Sequence, residues 1–230
     1  MREVVLDTET TGLDPAEGHR IIEIGCLELE GHVPTGRSWR SYVNPERDIP
    51  EDAARIHGLT QETLATAPVF AAVADELLAF LGEAPLVIHN AEFDLKFLNA
   101  ELAHIARAAI PAARAVDTVA IARRRFPGAR CSLDELCKRF AIDLSVRAKH
   151  GALIDAELLA QVYLELIGGR QVNLQLSPGD AGVAETETVV RMARRREHLL
   201  PERLSAAERE AHARFIAAEL SGDVMWRKEA

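Results

Sequence analysis

Apolar positions in the first 170 residues recur at two periods. Val4, Val5 and Leu6 form a short apolar run within residues 2–7, which predicts a buried strand. Residues 21–30 and 37–44 alternate in part and predict two more strands. Helical spacing begins near Pro50. A clear helix is expected from about Pro68, a residue suited to a first helical turn, to Leu81 before Gly82. Residues 86–90 read as a strand with a polar end, followed by an amphipathic helix over 91–107. A short strand near Val116 leads into a helix containing the run ARRRF. Ser132 and Glu135 form a capping box that opens another helix. The last helix of this part spans 152–167 and stops at Gly168 and Gly169. Strands first, then strands alternating with helices, predict an α/β fold with a mixed sheet flanked by helices.

The pattern changes after residue 170. Residues 177–188 hold no basic residue, few large apolar ones and many turn formers, so they read as a flexible linker. Helical material returns at 189–200. A second capping box, Ser205 with Glu208, opens a helix to about Leu220. The expected organisation is a domain over 1–170, a peptide and linker over 171–188, and a helical tail over 189–230.

Composition narrows the class. The chain has 230 residues, enough for one domain and an extra segment, and its 48% hydrophobic content is that of a globular protein. Only 5% is aromatic, so Ala and Leu supply much of the apolar surface. Three cysteines, Cys26, Cys131 and Cys137, fit no zinc spacing and suggest separate thiols in a reducing cytoplasm. The start carries no signal-peptide pattern, and no apolar run approaches the roughly 18 residues that span a bilayer. The net charge is −9. Residues 1–170 hold 18 basic and 26 acidic side chains, against 9 and 10 in the remainder. That balance argues against a protein gripping nucleic acid through a broad basic surface, and any nucleic acid it handled would have to be presented by a partner.

Acids interrupt the apolar patterns at four places. Asp7 and Glu9 stand two apart at the end of the first strand and so project from one face. Asp94 shares a helical stripe with Leu98, Leu102 and Ile105, within about 80°. Asp155 shares one with Leu159, Val162 and Leu166, within about 40°. A single inward acid is most simply a helix cap or an arginine partner. Four of them, with no Lys or Arg at matching inward positions on these elements, favour a site where hard oxygen ligands hold Mg²⁺ or Mn²⁺. His150, five residues before Asp155, is either a solvated loop histidine or a general base beside a metal site.

These residues form three motifs, Asp7-Thr8-Glu9-Thr10-Thr11-Gly12, His89-Asn90-Ala91-Glu92-Phe93-Asp94 and His150-Gly151-Ala152-Leu153-Ile154-Asp155. Together they resemble the DEDD exonucleases in their histidine-bearing, DEDDh, form over residues 2–168. The resemblance implies a ribonuclease H-like sheet and phosphodiester hydrolysis with two divalent metal ions. It gives Asp7, Glu9 and Asp155 to the metal, with Asp7 bridging to the second ion and Asp94 nearby through water. His150 becomes the base that deprotonates the attacking water. Thr11, Gly12, Leu13, Ile56, His57, Asn90 and Phe93 are expected to line the pocket for the 3′-terminal nucleotide, with Asp52 at its sugar. Asp117 reads as a helix cap. The runs Arg123–Arg125 and Arg194–Arg196 read as solvated helical faces, with a DNA-strand contact by the first run as the alternative.

Gln171, Leu174 and Leu176 resemble the bacterial sliding-clamp-binding peptide, although alternation of Val172, Leu174 and Leu176 also fits an edge strand. The tail resembles that by which proofreading subunits of bacterial replicative polymerases hold the polymerising (alpha) subunit, with Phe215, Ile216 and Trp226 as anchors. The function expected is a proofreading 3′→5′ exonuclease releasing 5′-mononucleotides, within the cytoplasmic replisome at the nucleoid. An RNA 3′-trimming enzyme and a polymerase–clamp tether are the alternatives.

Overall fold

A computed structural model describes residues 1–145, 151–169 and 205–219. Five strands form one mixed sheet: β1 (Arg2–Thr10), β2 (Ile21–Glu30), β3 (Val33–Tyr42), β4 (Leu86–Ile88) and β5 (Ala115–Asp117). Their order is β3-β2-β1-β4-β5, with β1–β2 and β2–β3 antiparallel and β1–β4 and β4–β5 parallel. β1 runs three residues past Asp7, because its pairing with β2 continues through Glu9↔Glu23 to Thr10↔Ile21. β3 begins four residues before the expected 37. Gly31 and His32, with φ of 57° and 68°, turn β2 directly into β3, the positive-φ pair that a tight hairpin needs. Residues 33–38 lie exposed at the sheet's edge and carry no apolar alternation, which is why their pattern concealed the strand.

The helices are α1 (Glu51–His57), α2 (Gln61–Leu64), α3 (Phe70–Leu81), α4 (Ala91–His104), α5 (Thr118–Arg125), α6 (Leu133–Arg139) and α7 (Ala152–Leu166). α4 stops three residues short of the expected 107, where Ala106 adopts φ 54° and the Arg107 N–H returns to the Leu102 carbonyl at 2.9 Å. Ser132 caps α6, accepting from the Glu135 N–H, and Asp117 caps α5, accepting from the Val119 N–H. Among the described residues no helix is long and apolar enough to cross a membrane.

Strand alternation sorts the core into two layers. Val4 and Leu6 of β1 pack with Phe70, Leu77, Phe97 and Leu98 of α3 and α4. Val5 turns the other way and packs with Ala122, Leu136, Leu159 and Val162 of α5, α6 and α7. Continued two residues at a time, the same alternation puts Asp7 and Glu9 on Val5's face, under α7, and Thr8 on Leu6's face, beside α4. β2 supplies a seat for α7. Gly25 pairs with Asp7, and a Cβ on it would lie 2.3 Å from the Ala152 carbonyl carbon and the Leu153 nitrogen. The first turn of α7 therefore rests on bare backbone.

Several buried acids are structural. Glu101 receives two Arg20 hydrogen bonds of 2.7 Å, Glu23 pairs with Arg40, and Glu28 with Arg2 and Arg37. Glu3 meets His32 at 2.6 Å and accepts from the Tyr163 hydroxyl at 2.8 Å, which ties α7 to β1. Cys26 and Cys137 are buried and Cys131 half-buried, as separate thiols.

Residues 176–230 form a second unit, of which α8 (Ala206–Glu219) is described. The expected capping box is present: the Glu208 N–H donates to Ser205 Oγ at 3.3 Å, and Glu208 Oε2 accepts from the Ser205 N–H at 2.8 Å. Phe215 is 56% exposed and Ile216 half-buried. The linker, the helix expected over 189–200 and the residues Gln171, Leu174, Leu176 and Trp226 lie outside the described residues, as does His150.

Candidate active site

Asp7 and Glu9 reach from the end of β1, and Asp155 from the first turn of α7. Each offers a carboxylate oxygen, and the three lie within 4.8 Å of one another. Asp155 is 4% exposed. Three like charges this close repel at several kcal/mol in a partly buried setting, so a cation among them stabilises the cluster. The donor set is entirely hard oxygen, which fits Mg²⁺ or Mn²⁺. The cluster opens on a cleft of about 300 Å³, also lined by His89, Phe93, Asp94 and Asp134.

Asp94 does not join the three at one point. It arrives from the opposite face of the sheet, on α4, and its Oδ1 accepts from the Thr8 N–H at 3.0 Å and the Thr8 hydroxyl at 2.7 Å. Strand alternation explains the difference: Thr8 lies between Asp7 and Glu9 and faces the other layer. Asp94 is 3% exposed, and burial pushes its carboxyl up to about 7. The Thr8 hydrogen bonds act against that rise and the charge of Asp117 adds to it.

A second cleft, of about 450 Å³, joins the first through Thr8, Glu9 and Phe93. Thr11, Gly12, Leu13, Asp52, Ile56, His57 and Phe93 all line it, as the sequence predicts. Its rim is apolar and open, with Leu13 82% and Ile56 56% exposed. His57 is buried, and its Nδ1 accepts from the Leu59 N–H at 3.0 Å, so the neutral ring carries its proton on Nε2. Asp52 pairs with Arg55 at the surface. Residues 11–20 are anchored by Thr11, whose N–H donates to the Arg20 carbonyl and whose hydroxyl accepts from the Arg20 N–H. The Arg20–Glu101 and Lys96–Asp14 pairs then tie this loop to α4.

Asn90 is placed differently from expectation. It sits at φ 69° as the residue before α4, its N–H donates to Asp117 Oδ1, and it lines a third cleft rather than the second. Sequence reasoning missed His19, whose Nδ1 lies 3.2 Å from Thr11 Oγ1 and whose ring lies where a Gly12 Cβ would fall, 2.3 Å away. It also missed His89, whose Nδ1 is 2.8 Å from Thr118 Oγ1; that hydroxyl donates to the Ile88 carbonyl, so Nδ1 is the donor to it. The HN dipeptide was the available signal for His89; nothing local marks His19.

Comparison with known proteins accords with this geometry. The family described as Exonuclease matches residues 4–163. The DNA polymerase III subunit epsilon of Rickettsia felis is 55% identical over 174 residues, 74% of this chain and 76% of that protein. That of Escherichia coli K12 is 39% identical over 238 aligned positions, 98% of this chain and 97% of that protein. In fold, the chain resembles the nuclease domain of 3′hExo, a DEDDh family member solved with rAMP, at a TM-score of 0.64 and 21% identity, over 72% of this chain and 91% of that one. Identity that continues beyond the motif-bearing residues into the tail completes the assignment: the chain belongs to the exonuclease family and, within it, to the DNA polymerase III epsilon subunits.

Proposed function

We propose that this chain is the proofreading 3′→5′ exonuclease of a bacterial replicative polymerase, releasing mispaired 3′-terminal nucleotides as 5′-mononucleotides. The observation that carries the reading is the meeting of three carboxylate oxygens within 4.8 Å beside an apolar-rimmed cleft. Asp7, Glu9 and Asp155 would hold the divalent ions, Mg²⁺ or Mn²⁺, with Asp94 alongside. Bound there, two such ions supply charge neutralisation of the phosphodiester and activation of water for in-line attack. The protein's own groups do the rest. Leu13, Ile56 and Phe93 give the terminal base apolar surface, the Nε2–H of His57 is a donor toward the nucleotide, and Asp52 meets the sugar at the rim. His150 takes the proton of the attacking water, in keeping with the DEDDh pattern.

Relatives named as DNA polymerase III subunits support a polymerase partner, and a clamp partner rests on the peptide resemblance alone. Residues 189–230, with Phe215, Ile216 and Trp226 as anchors, would hold the DNA polymerase III alpha subunit; the exposure of Phe215 on α8 accords with that. Gln171, Leu174 and Leu176 would engage the sliding clamp. The catalytic domain then spans 1–170 and the linker 171–188.

Two measurements test the reading. Mg²⁺-dependent release of 5′-mononucleotides from single-stranded DNA is expected, and Asp7→Ala is expected to abolish it; persistence of activity in that variant would sink the assignment. The alpha subunit is expected to co-purify with the full chain and not with a chain ending at residue 170. Equal co-purification would exclude the tail as the binding segment.

A further inference from the structure

The third cleft, of about 460 Å³, adjoins the acid cleft through His89 and Ser132 and shares no lining residue with the apolar cleft. Three clefts thus run in sequence: an apolar one, an acidic one and this one. Its lining includes Asn90, Arg123, Arg130 and Cys131, and among the described residues no carboxylate. Among the described residues most other arginines of the domain are absorbed locally, and the two exceptions, Arg47 and Arg124, do not line this cleft. Arg2, Arg20, Arg37, Arg40, Arg55 and Arg107 pair with acids. Arg114 and Arg125 bond backbone carbonyls, and Arg139 lies over Phe126. Arg123 and Arg130 are exposed and form no ion pair among the described residues. The surrounding sequence departs from the chain's acidic balance: Arg107 to Lys149 hold ten basic and four acidic side chains.

We infer that this cleft is the track for the strand 5′ of the scissile bond, with Arg123 and Arg130 holding the upstream phosphates and Asn90 contributing amide hydrogen bonds. The inference rests on the exonuclease reading above. With the terminal nucleoside in the apolar cleft, the scissile phosphate at the acids and the next phosphates at the arginines, the order of the clefts sets the polarity of the bound strand. Guanidinium groups without acidic partners are suited to bind phosphate at little cost of competing pairs. They also resolve a charge problem, since an acidic protein can hold a strand through one short basic cleft without a basic surface.

The test compares two substrates of the full chain in Mg²⁺: a short oligothymidylate, and the p-nitrophenyl ester of thymidine 5′-monophosphate, which ends at the scissile phosphate and has no upstream strand. In Arg123→Ala/Arg130→Ala the ratio of kcat/KM for oligonucleotide over ester is expected to fall about tenfold or more, with a shallower salt dependence. Arg124→Ala removes one charge from the helix that carries Arg123 but none from the cleft, and is expected to keep the ratio. An unchanged ratio in the double variant, or an equal fall in Arg124→Ala, overturns the track. If the wild-type chain hydrolyses neither substrate, the exonuclease reading itself has failed. A readout without catalysis uses Cys131, the thiol in this cleft, while Cys26 and Cys137 are buried. Oligothymidylate in EDTA is expected to slow alkylation of Cys131 in the wild type and not in the double variant. Equal alkylation with and without the strand in the wild type also overturns the proposal.

Discussion

Single side chains decide how the site responds to pH and to loss of metal. Asp94 has an ordinary carboxylate value of 3.8 when unfolded and about 7 when folded. The folded state therefore binds its proton more tightly, and the contribution to stability is full below about pH 4, declines as pH rises through 7 and is absent above it. In EDTA, the melting temperature of the wild type is expected to fall relative to Asp94→Asn as pH rises from 4 to 7. Parallel curves would remove the buried, raised carboxylate from the account. Tyr163 offers a simpler case. Tyr163→Phe takes one donor from the buried Glu3 and is expected to cost about 1–3 kcal/mol in denaturant unfolding. Burial and its bond to Glu3 raise the Tyr163 hydroxyl far above its ordinary value, so no loss of this contact through tyrosine ionisation is expected near neutral pH. At this scale the sequence was informative where a single period governed the outcome. Asp155 on a leucine stripe is buried as that stripe requires. Glu101, seven residues after Asp94 on α4, is an equally buried acid, yet its partner Arg20 comes from 81 positions away and no local pattern announces it.

Elements bring these residues together, and Gly25 is where two of them touch. Gly25→Ala would press a methyl group into the α7 backbone, so β2 and the helix must separate. A loss of about 1–3 kcal/mol is expected, as for other overpacked contacts. The kcat on single-stranded DNA is expected to fall about 100-fold or more, because Asp155 rides on that helix and a shift near 1 Å is enough. Wild-type kcat with lowered stability would mean that α7 is not positioned through this contact. Neither Gly25 nor the hairpin at Gly31-His32 was legible beforehand. A lone Gly in an apolar strand indicates close approach in general but names no partner, and the polar edge strand after His32 lacks the alternation by which strands are recognised. The fourth acid shows the same limit. Helical phase correctly put Asp94 inside, but only pairing Thr8 with α4 reveals that it comes from the other layer.

At the scale of the molecule, the charge distribution is expected to give the nuclease a weak hold on DNA of its own. The first hundred residues contain 18 acidic and seven basic side chains, so encounter with a strand is unfavourable outside the short basic cleft. Addition of the alpha subunit is expected to lower the KM for a mismatched primer end by about tenfold or more for the full chain, through effective concentration. A chain ending at residue 170 is expected to gain nothing; an equal gain would show that the tail is not the tether. The domain's fold class was legible because its α/β alternation is regular and its motifs fall at element ends. The placement of the clefts was not, since it depends on which loops the sheet order makes neighbours.

The distribution of acids across both faces of β1 has a consequence for the nascent chain. The strand contributes Asp7 and Glu9, one helical layer contributes Asp155, and the other layer holds Asp94 against Thr8. A polypeptide still emerging from the ribosome possesses the first two acids early, yet the complete constellation requires residue 155 and closure of both layers upon the sheet. On the proposed reading, hydrolytic competence would therefore be a late property of folding. A truncated copy lacking α7, and with it Asp155, would on that reading be inert rather than indiscriminate.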